Sequence, residues 1–271
     1  MPAPRPARPE EGLVVAARGR WQHVRSMTHL RTNGLAAVAI LAVGAVVSGC
    51  GGTTKAVRLP ASGPITKTNA VTYAQAVNLI PADVPGMLSV SLERESKPGR
   101  GDTEEARCAG TPSPTRVVVT IESPWFRSGS GLQVKKVQSE VSVRPSAALA
   151  TRSLSADQAA LRDARNRTCL LRDAAGGLAT GFHRANKRIS LSVGRLVLSP
   201  LPHSLPRSFA FRITMPLTFG RAGRWLHTRA YLDALGFVRG PAVVSMTAAG
   251  YSSPVPTATE QRLLSLLYGR A

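Results

Sequence analysis

Apolar and polar residues alternate along the last third of the chain, and a period of two residues predicts β-strands. Phe209, Phe211, Ile213 and Met215 are separated by small or polar residues and give the clearest example. Four strands are predicted there, over residues 189–198, 208–217, 224–234 and 242–248. The short turns between them favour an antiparallel meander with one packed face and one more solvated face.

Further strand patterns precede this meander. Residues 116–123 contain a β-branched run that is typical of a buried strand. The segment from Val137 to Val143 alternates with polar neighbours and predicts a half-buried strand. Residues 87–92 alternate weakly and predict a short strand that follows a turn ending at Gly86. The chain therefore has enough strands for one sizeable sheet.

Two capping-box patterns predict helix starts. Thr72 and Gln75 are expected to begin a short helix over residues 73–79. Thr257 and Glu260 are expected to begin the C-terminal helix. The apolar face of this last helix consists of three leucines, Leu263, Leu264 and Leu267. Such a face predicts that the helix packs across the sheet.

A longer helical stretch covers residues 145–169, with a break expected near Ser153. The glycine-containing residues 173–177 are expected to end it, because glycine is common just after the last helical turn. Helices beside an antiparallel sheet define the α+β class, with the helices flanking the sheet. We predict a single domain of this class over residues 69–271.

The N-terminal part carries an export signal. Residues 34–46 are uncharged and apolar, and they lead to the tetrapeptide VSGC, which ends at Cys50 and matches a bacterial lipobox. The apolar run is shorter than the roughly 20 residues that span a bilayer. Arg25 and Arg31 precede the apolar run, and this placement of positive charge favours export of the residues that follow it. We therefore predict a lipoprotein signal peptide over residues 1–49 and lipidation of Cys50.

The alternative is an ordinary transmembrane helix over about residues 33–52 whose cysteine is incidental. The arginine- and proline-rich start differs from a normal signal sequence, and translation is predicted to begin at Met27. Residues 50–68 are rich in Gly, Thr, Ser and Pro and predict a flexible tether. The expected location is the extracytoplasmic face of the cell membrane.

The formal net charge is +20, with 35 basic and 15 acidic side chains. Two explanations stay open, namely attraction to anionic lipids or envelope polymers and the arginine-rich drift of a high-GC genome. The basic residues are scattered, without a basic motif interleaved with aromatic residues. Together with export, this pattern argues against nucleic acid as a partner.

Cys108 and Cys169 are the cysteines left once Cys50 is lipidated. An even number of cysteines in an exported chain predicts a disulfide. Metal binding is a poor alternative, because two cysteines without suitably spaced His or Asp do not make a tetrahedral site. No cofactor is expected.

Three histidines of the exported part, His183, His203 and His227, are far apart in sequence, and their sequence neighbourhoods match no motif that pairs a catalytic base with a nucleophile or carboxylate. Catalytic residues are therefore not predicted. His227 shares an alternating strand face with Trp225, Arg229 and Tyr231. This face is a candidate ligand-recognition surface, and the alternative is a mixed polar sheet face covered by a helix or by solvent.

The order of parts resembles actinobacterial envelope lipoproteins of the LpqN type and the extracellular sensor region of a mycobacterial serine/threonine kinase. The segments that carry the likeness are the lipobox at Cys50, Asp83-Val-Pro-Gly86, Cys108, Cys169-Leu-Leu171, Tyr231-Leu-Asp-Ala-Leu-Gly-Phe237, Ala242 to Thr247 and Glu260-Gln-Arg-Leu-Leu264.

This resemblance implies a non-enzymatic α+β domain with a cleft that binds lipids, glycopeptides or envelope proteins. We accordingly expect a membrane-anchored binding or sensor-like module. Two alternatives remain open. An envelope hydrolase or transferase requires a histidine close to Asp or Ser, and a structural lipoprotein that holds anionic polymers requires binding that falls steeply with salt.

Overall fold

The computed structural model describes residues 59, 64–96, 108, 116–185, 189–202 and 204–271. The predicted signal peptide, Cys50 and His203 lie outside the described residues. Within the described ranges, no helix is both long enough and apolar enough to cross a membrane.

One antiparallel sheet of ten strands forms the body of the described protein. The strands are β1 (Leu88–Ser89), β2 (Arg94–Glu95), β3 (Val119–Glu122), β4 (Phe126–Ser128), β5 (Lys135–Val143), β6 (Ser190–Val193), β7 (Val197–Pro200), β8 (Ser208–Arg221), β9 (Arg224–Arg239) and β10 (Ala242–Tyr251). Their order is β1-β4-β5-β10-β9-β8-β6, with β2 on β3, β3 on β5 and β7 on β8. The meander predicted from alternation is present as β8, β9 and β10, so the α+β prediction is confirmed.

Four α-helices lie in the described part of the chain, and they cover the two faces of the sheet. They are α1 (Lys67–Val77), α2 (Ala147–Arg162), α3 (Ala164–Ala185) and α4 (Thr257–Arg270). We call the face that carries α1 and α4 face A, and the face that carries α2 and α3 face B. Short 3-10 helices at Pro81–Asp83 and Gly131–Gln133 connect other elements.

The largest core lies on face A. There the predicted leucine face of α4 is buried against Phe237, Val244 and Met246, and Tyr73 of α1 belongs to the same cluster. A second core lies on face B, where Leu178 of α3 packs with side chains that include Ile213, Met215, Leu217 and Leu232. The alternation predicts that one face of the meander is packed and the other is solvated. Helices instead cover part of both faces, so β8, β9 and β10 contribute core residues on both sides. Ala210, on the face expected to be wetter, is buried in the face A core.

The first helix begins earlier than its capping-box pattern indicates. Thr66 is the N-cap, and its hydroxyl accepts from the Asn69 backbone N–H at 3.4 Å. Thr72 therefore lies inside α1, where its hydroxyl donates to the Thr68 carbonyl. The predicted start at Thr72 and the predicted extent of the tether to residue 68 are both wrong, because Lys67 is already helical.

The second capping box is also wrong. Pro256 precedes α4 as its N-cap and provides no side-chain hydrogen bond, and Thr257 is the first helical residue. Glu260, expected to cap the backbone, is instead fully buried on the face that carries Leu263 and Leu267. The helix itself and its apolar face are as predicted.

The middle helical region breaks at Asp163, not near Ser153. The Asp163 carboxylate accepts from the Asn166 backbone N–H at 2.8 Å, which caps the start of α3. The helix then continues through Gly176 to Ala185, beyond its predicted end. Packing of α3 on the second core outweighs the low helix propensity of glycine.

Two strand predictions need correction. The run over residues 189–198 forms two short strands, β6 and β7, which both pair with β8. Gly236, which lies between the predicted strands 224–234 and 242–248, belongs to β9, and an added Cβ there would lie 2.6 Å from the Phe209 ring. The turn between β9 and β10 consists of Gly240 and Pro241 alone.

The predicted disulfide between Cys108 and Cys169 is present, with 5.6 Å between the two Cα atoms. Cys169 lies inside α3, on the face B side of the sheet. The bond closes a loop across 61 positions of sequence. It therefore ties the segment around residue 108 to the helix that covers the second core.

Candidate functional site

The predicted ligand-facing residues share one face of β9. The register with β8 places Trp225, His227, Arg229 and Tyr231 opposite Gly220, Thr218, Pro216 and Thr214. All four side chains lie on face A, on the same alternating positions as the core residue Phe237. We call these four residues the face A strip.

The strip lies beyond the end of the helix that covers the rest of this face. Glu260, in the first turn of α4, lies next to Asp233, and the strip begins two positions before Asp233. Arg229 and His227 are exposed, and Trp225 is 63% exposed. The described helices therefore leave Trp225, His227 and Arg229 open to solvent. The alternative of a mixed polar sheet face covered by solvent stays open.

Trp225 lies directly on Gly220 of the neighbouring strand. A Cβ added to Gly220 would lie 2.4 Å from the Trp225 Cζ3 atom. Glycine is needed here because the indole takes the space of a side chain, an arrangement that stabilises glycine in a sheet. The ring is thus held against the sheet while much of its surface stays open to solvent.

His227 has a hydroxyl partner, since its Nδ1 lies 2.9 Å from the Thr218 Oγ1 atom. Tyr231 lies near the Arg212 guanidinium, whose Cζ is 5.8 Å from the ring centroid. Both contacts fix the side-chain positions of the strip. Neither Thr218 nor Arg212 could be assigned from the spacing along β9, because they come from the neighbouring strand.

A buried charge cluster lies at the inner end of the strip. Arg212 donates to both carboxylate oxygens of Asp233, at 2.6 and 2.7 Å, and Asp233 is only 1% exposed. Glu260 is 0% exposed, and neither of its oxygens has an N–H or O–H donor from another group. Two carboxyl groups and one guanidinium therefore meet inside the protein.

The surroundings of Glu260 favour its protonated form. Burial raises its pKa to about 9, the hydrogen bond with Asp233 and the charge of Asp233 act in the same direction, and Arg212 opposes them. Two ionised carboxylates have no hydrogen-bond donor between them. The protonated Glu260 carboxyl group has an O–H, which donates to Asp233. The pair was not predicted from the sequence, although Asp233 in an apolar strand was a usable signal.

The C-terminal 98 residues contain twelve Lys and Arg residues but two acidic residues, Asp233 and Glu260. Since both are buried, this part of the chain exposes no acidic side chain. The exposed arginines near the strip are Arg195, Arg221, Arg224 and Arg229. The C-terminal part of the chain therefore contributes basic but no acidic side chains to the surface around the strip.

The histidines expected for a catalytic alternative do not meet in the described structure. His183 is exposed on α3, which covers face B, whereas His227 lies on face A. Among the residues described, no three His, Cys, Asp or Glu side chains are grouped to hold a metal ion. His227 of the strip instead has a hydroxyl partner on the neighbouring strand, Thr218.

An open depression of about 520 Å³ lies beside α4, away from the strip. It is lined by Pro202, Ser204, Ala258, Gln261, Arg262 and Ser265. Arg262 donates to the Asp83 carbonyl at 2.9 Å, so its guanidinium already has a structural role.

The fold and the strip define an α+β protein with an exposed aromatic and basic sheet surface. No family model matches the chain, and no curated protein matches it. The resemblance to LpqN-type lipoproteins therefore stays a prediction. Among solved structures the chain is similar to the extracellular domain of PknH from Mycobacterium tuberculosis, at 12% identity and a TM-score of 0.34. The match covers 77% of this chain and 97% of that one, and a likeness at this level carries no argument about function.

Proposed function

We propose that this protein is an exported, non-enzymatic binding module that is anchored to the outer face of the cell membrane through a lipid on Cys50. The observation that supports binding is the exposed face A strip, in which an aromatic ring, a histidine and an arginine lie side by side on a rigid sheet. Lipids, glycopeptides and envelope proteins are the candidate ligands.

The chemistry of the strip suits a ligand with an apolar surface next to anionic or hydroxyl groups. Trp225 offers a flat aromatic surface, and Tyr231 offers a second ring with a hydroxyl group. Arg229 is a charged donor that pairs well with phosphate or carboxylate. Together these groups match a lipid headgroup or the sugar and peptide parts of a glycopeptide.

The strip is held in place before any ligand binds. Gly220 lies under Trp225, Thr218 contacts His227, and Arg212 lies beside Tyr231. Side chains that are already ordered lose less conformational entropy on binding. This arrangement supports recognition by the sheet surface itself.

Calorimetry of the full chain with a soluble muropeptide mixture and with a short-chain anionic phospholipid tests the binding proposal. We expect one of the two ligands to bind, and Arg229→Ala to weaken that binding roughly tenfold or more because a charged hydrogen bond is lost. Arg152→Ala is the matched control, since Arg152 is an exposed arginine of α2. If neither ligand binds, or if both variants behave alike, the strip is not the ligand surface.

The anchor needs a separate test. Intact-mass analysis of the protein from membranes of the native cell should show a chain that begins at Cys50 with a bound diacylglycerol. Cys50→Ala should leave the chain unprocessed at this position. An unmodified Cys50 in the mature protein, or a retained N-terminus, would contradict lipid anchoring.

A further inference from the structure

The hairpin of β8 and β9 ends in a fully exposed tip. Residues 221–227 are all exposed, and we call them the hairpin tip. Ala222 and Gly223 form the turn with φ values of 47° and 77°. Positive φ at both central residues is the geometry that fits the twist of a two-residue hairpin. The tip is therefore a defined structure.

Two large apolar side chains are exposed at this tip. Trp225 is 63% exposed on face A, and Leu226 is 48% exposed on the opposite face. Neighbouring residues of a strand point to opposite sides, so the tip presents apolar surface in both directions. Tryptophan beside leucine at a protruding end is typical of side chains that enter a membrane interface.

The same tip carries unbalanced positive charge. Arg221 and Arg224 are directly opposite each other in the ladder, on either side of the turn. Like charges in facing positions destabilise a strand pair. The acidic residues of this part of the chain, Asp233 and Glu260, are buried at the inner end of the strip and are not exposed near the tip. An external anion between the two arginines would remove their repulsion.

We propose that the hairpin tip docks onto the surface of an anionic lipid bilayer. Arg221 and Arg224 contact lipid phosphates, while Trp225 and Leu226 enter the interface between headgroups and acyl chains. The charge favours any polyanion, but the adjacent apolar pair favours a lipid surface over a soluble polymer. This inference goes beyond the proposed function, because the docking does not depend on a lipid at Cys50 or on a ligand in the strip.

Vesicle binding followed at Trp225 tests the docking. The full chain carrying Trp21→Phe is mixed with phosphatidylcholine vesicles or with equimolar phosphatidylcholine and phosphatidylglycerol vesicles, each with brominated acyl chains. Trp125 is buried and gives a constant background, and Trp225→Phe supplies the signal to subtract. We expect quenching of Trp225 on the anionic vesicles alone, and we expect it to decrease as salt is added.

The charge requirement is tested with two matched double variants. Arg221→Glu with Arg224→Glu should weaken binding to anionic vesicles roughly tenfold or more, because each basic residue near the surface contributes to the attraction. Arg152→Glu with Arg165→Glu makes the same charge change on exposed positions of α2 and α3 and should leave Trp225 quenching unchanged.

Three results would overturn the proposal. One is the absence of Trp225 quenching on anionic vesicles, and another is an equal effect of the two double variants. The third is charge-dependent binding without quenching, which would identify the tip as a site for soluble polyanions instead. Binding of soluble ligands by the strip is measured by calorimetry without vesicles, so failure of one proposal does not decide the other.

Discussion

Glu260 of α4 and Asp233 of β9 place two buried carboxyl groups side by side, with a single guanidinium, that of Arg212, bonded to Asp233. The contact lies where the covered part of face A meets the strip. A hydrogen bond between the Glu260 and Asp233 carboxyl groups connects the C-terminal helix to the sheet, and it requires a proton on one of them. The stability of the helix contact should therefore depend on pH.

We expect the free energy of unfolding to fall as pH rises from about 4.5 to about 9. In this window the folded protein holds the Glu260 proton more tightly than the unfolded chain does, so the contribution of Glu260 to stability decreases as pH rises. The stabilisation is complete below the unfolded pKa and is lost as pH approaches the folded pKa. Glu260→Gln should remove this slope.

Urea unfolding of the two proteins across this window measures the effect. Near pH 4.5 the curves should agree, whereas near pH 8 Glu260→Gln should be the more stable protein. Glu93→Gln changes an exposed glutamate and should keep the wild-type slope. Equal slopes for wild type and Glu260→Gln would show that Glu260 is not protonated in the fold.

Removal of the guanidinium should be costly. Arg212→Ala leaves Asp233 buried without its bidentate partner, and such a loss costs about 3 kcal/mol or more. Arg229→Ala, an exposed arginine of the same sheet face, should change stability by less than about 0.5 kcal/mol. Equilibrium urea unfolding at constant pH compares them, and similar midpoints for both variants would refute the role of Arg212.

The position of Trp225 should depend on the absence of a side chain at residue 220. Gly220→Ala places a Cβ where the indole now lies, so the ring has to move off the sheet. The atoms in the way belong to movable side chains, and the stability change should stay within about 1 kcal/mol. Iodide quenching, corrected with Trp225→Phe, should increase, and unchanged quenching would mean that the ring does not rest on Gly220.

The disulfide should contribute substantially to stability. Replacing Cys108 and Cys169 with serine opens a loop across 61 positions, which costs about 4 kcal/mol in the chain-entropy model. The urea midpoint of the double variant should fall accordingly, and reduction of the wild type should produce the same shift. Free thiols at both positions in non-reducing peptide mapping would contradict the bond itself.

The spacing of apolar residues was sufficient to predict the strands and the helix in which that spacing matches the buried face. Alternation located β8 to β10, and the leucine spacing located the buried face of α4. Glu260 shows the limit, because the spacing from Thr257 fits a capping box as well as it fits a buried contact. Only the partner on β9 decides between them, and this partner is set by tertiary packing.

For the candidate site, the residues on β9 could be predicted from the sequence, and their supporting residues on β8 could not. Alternation along β9 placed Trp225 and Tyr231 on one face, and the strand register places them there as well. Gly220, Thr218 and Arg212 could not be found this way, since their positions follow from the register between β8 and β9. A residue that supports a site from the neighbouring strand leaves no signal in the spacing of the site itself.

The N-terminal end of α4 lies near Asp233, and it divides β9 into two parts that should differ in how well they tolerate substitution. Beyond this point, odd-numbered positions point to solvent on face A, while Ala230 and Leu232 remain packed on the face of α3. Substitutions at odd positions from 225 to 231 can therefore alter the surface while the packed positions stay as they are. Homologous chains that share this fold should diverge there first, each with its own recognition surface on a common frame.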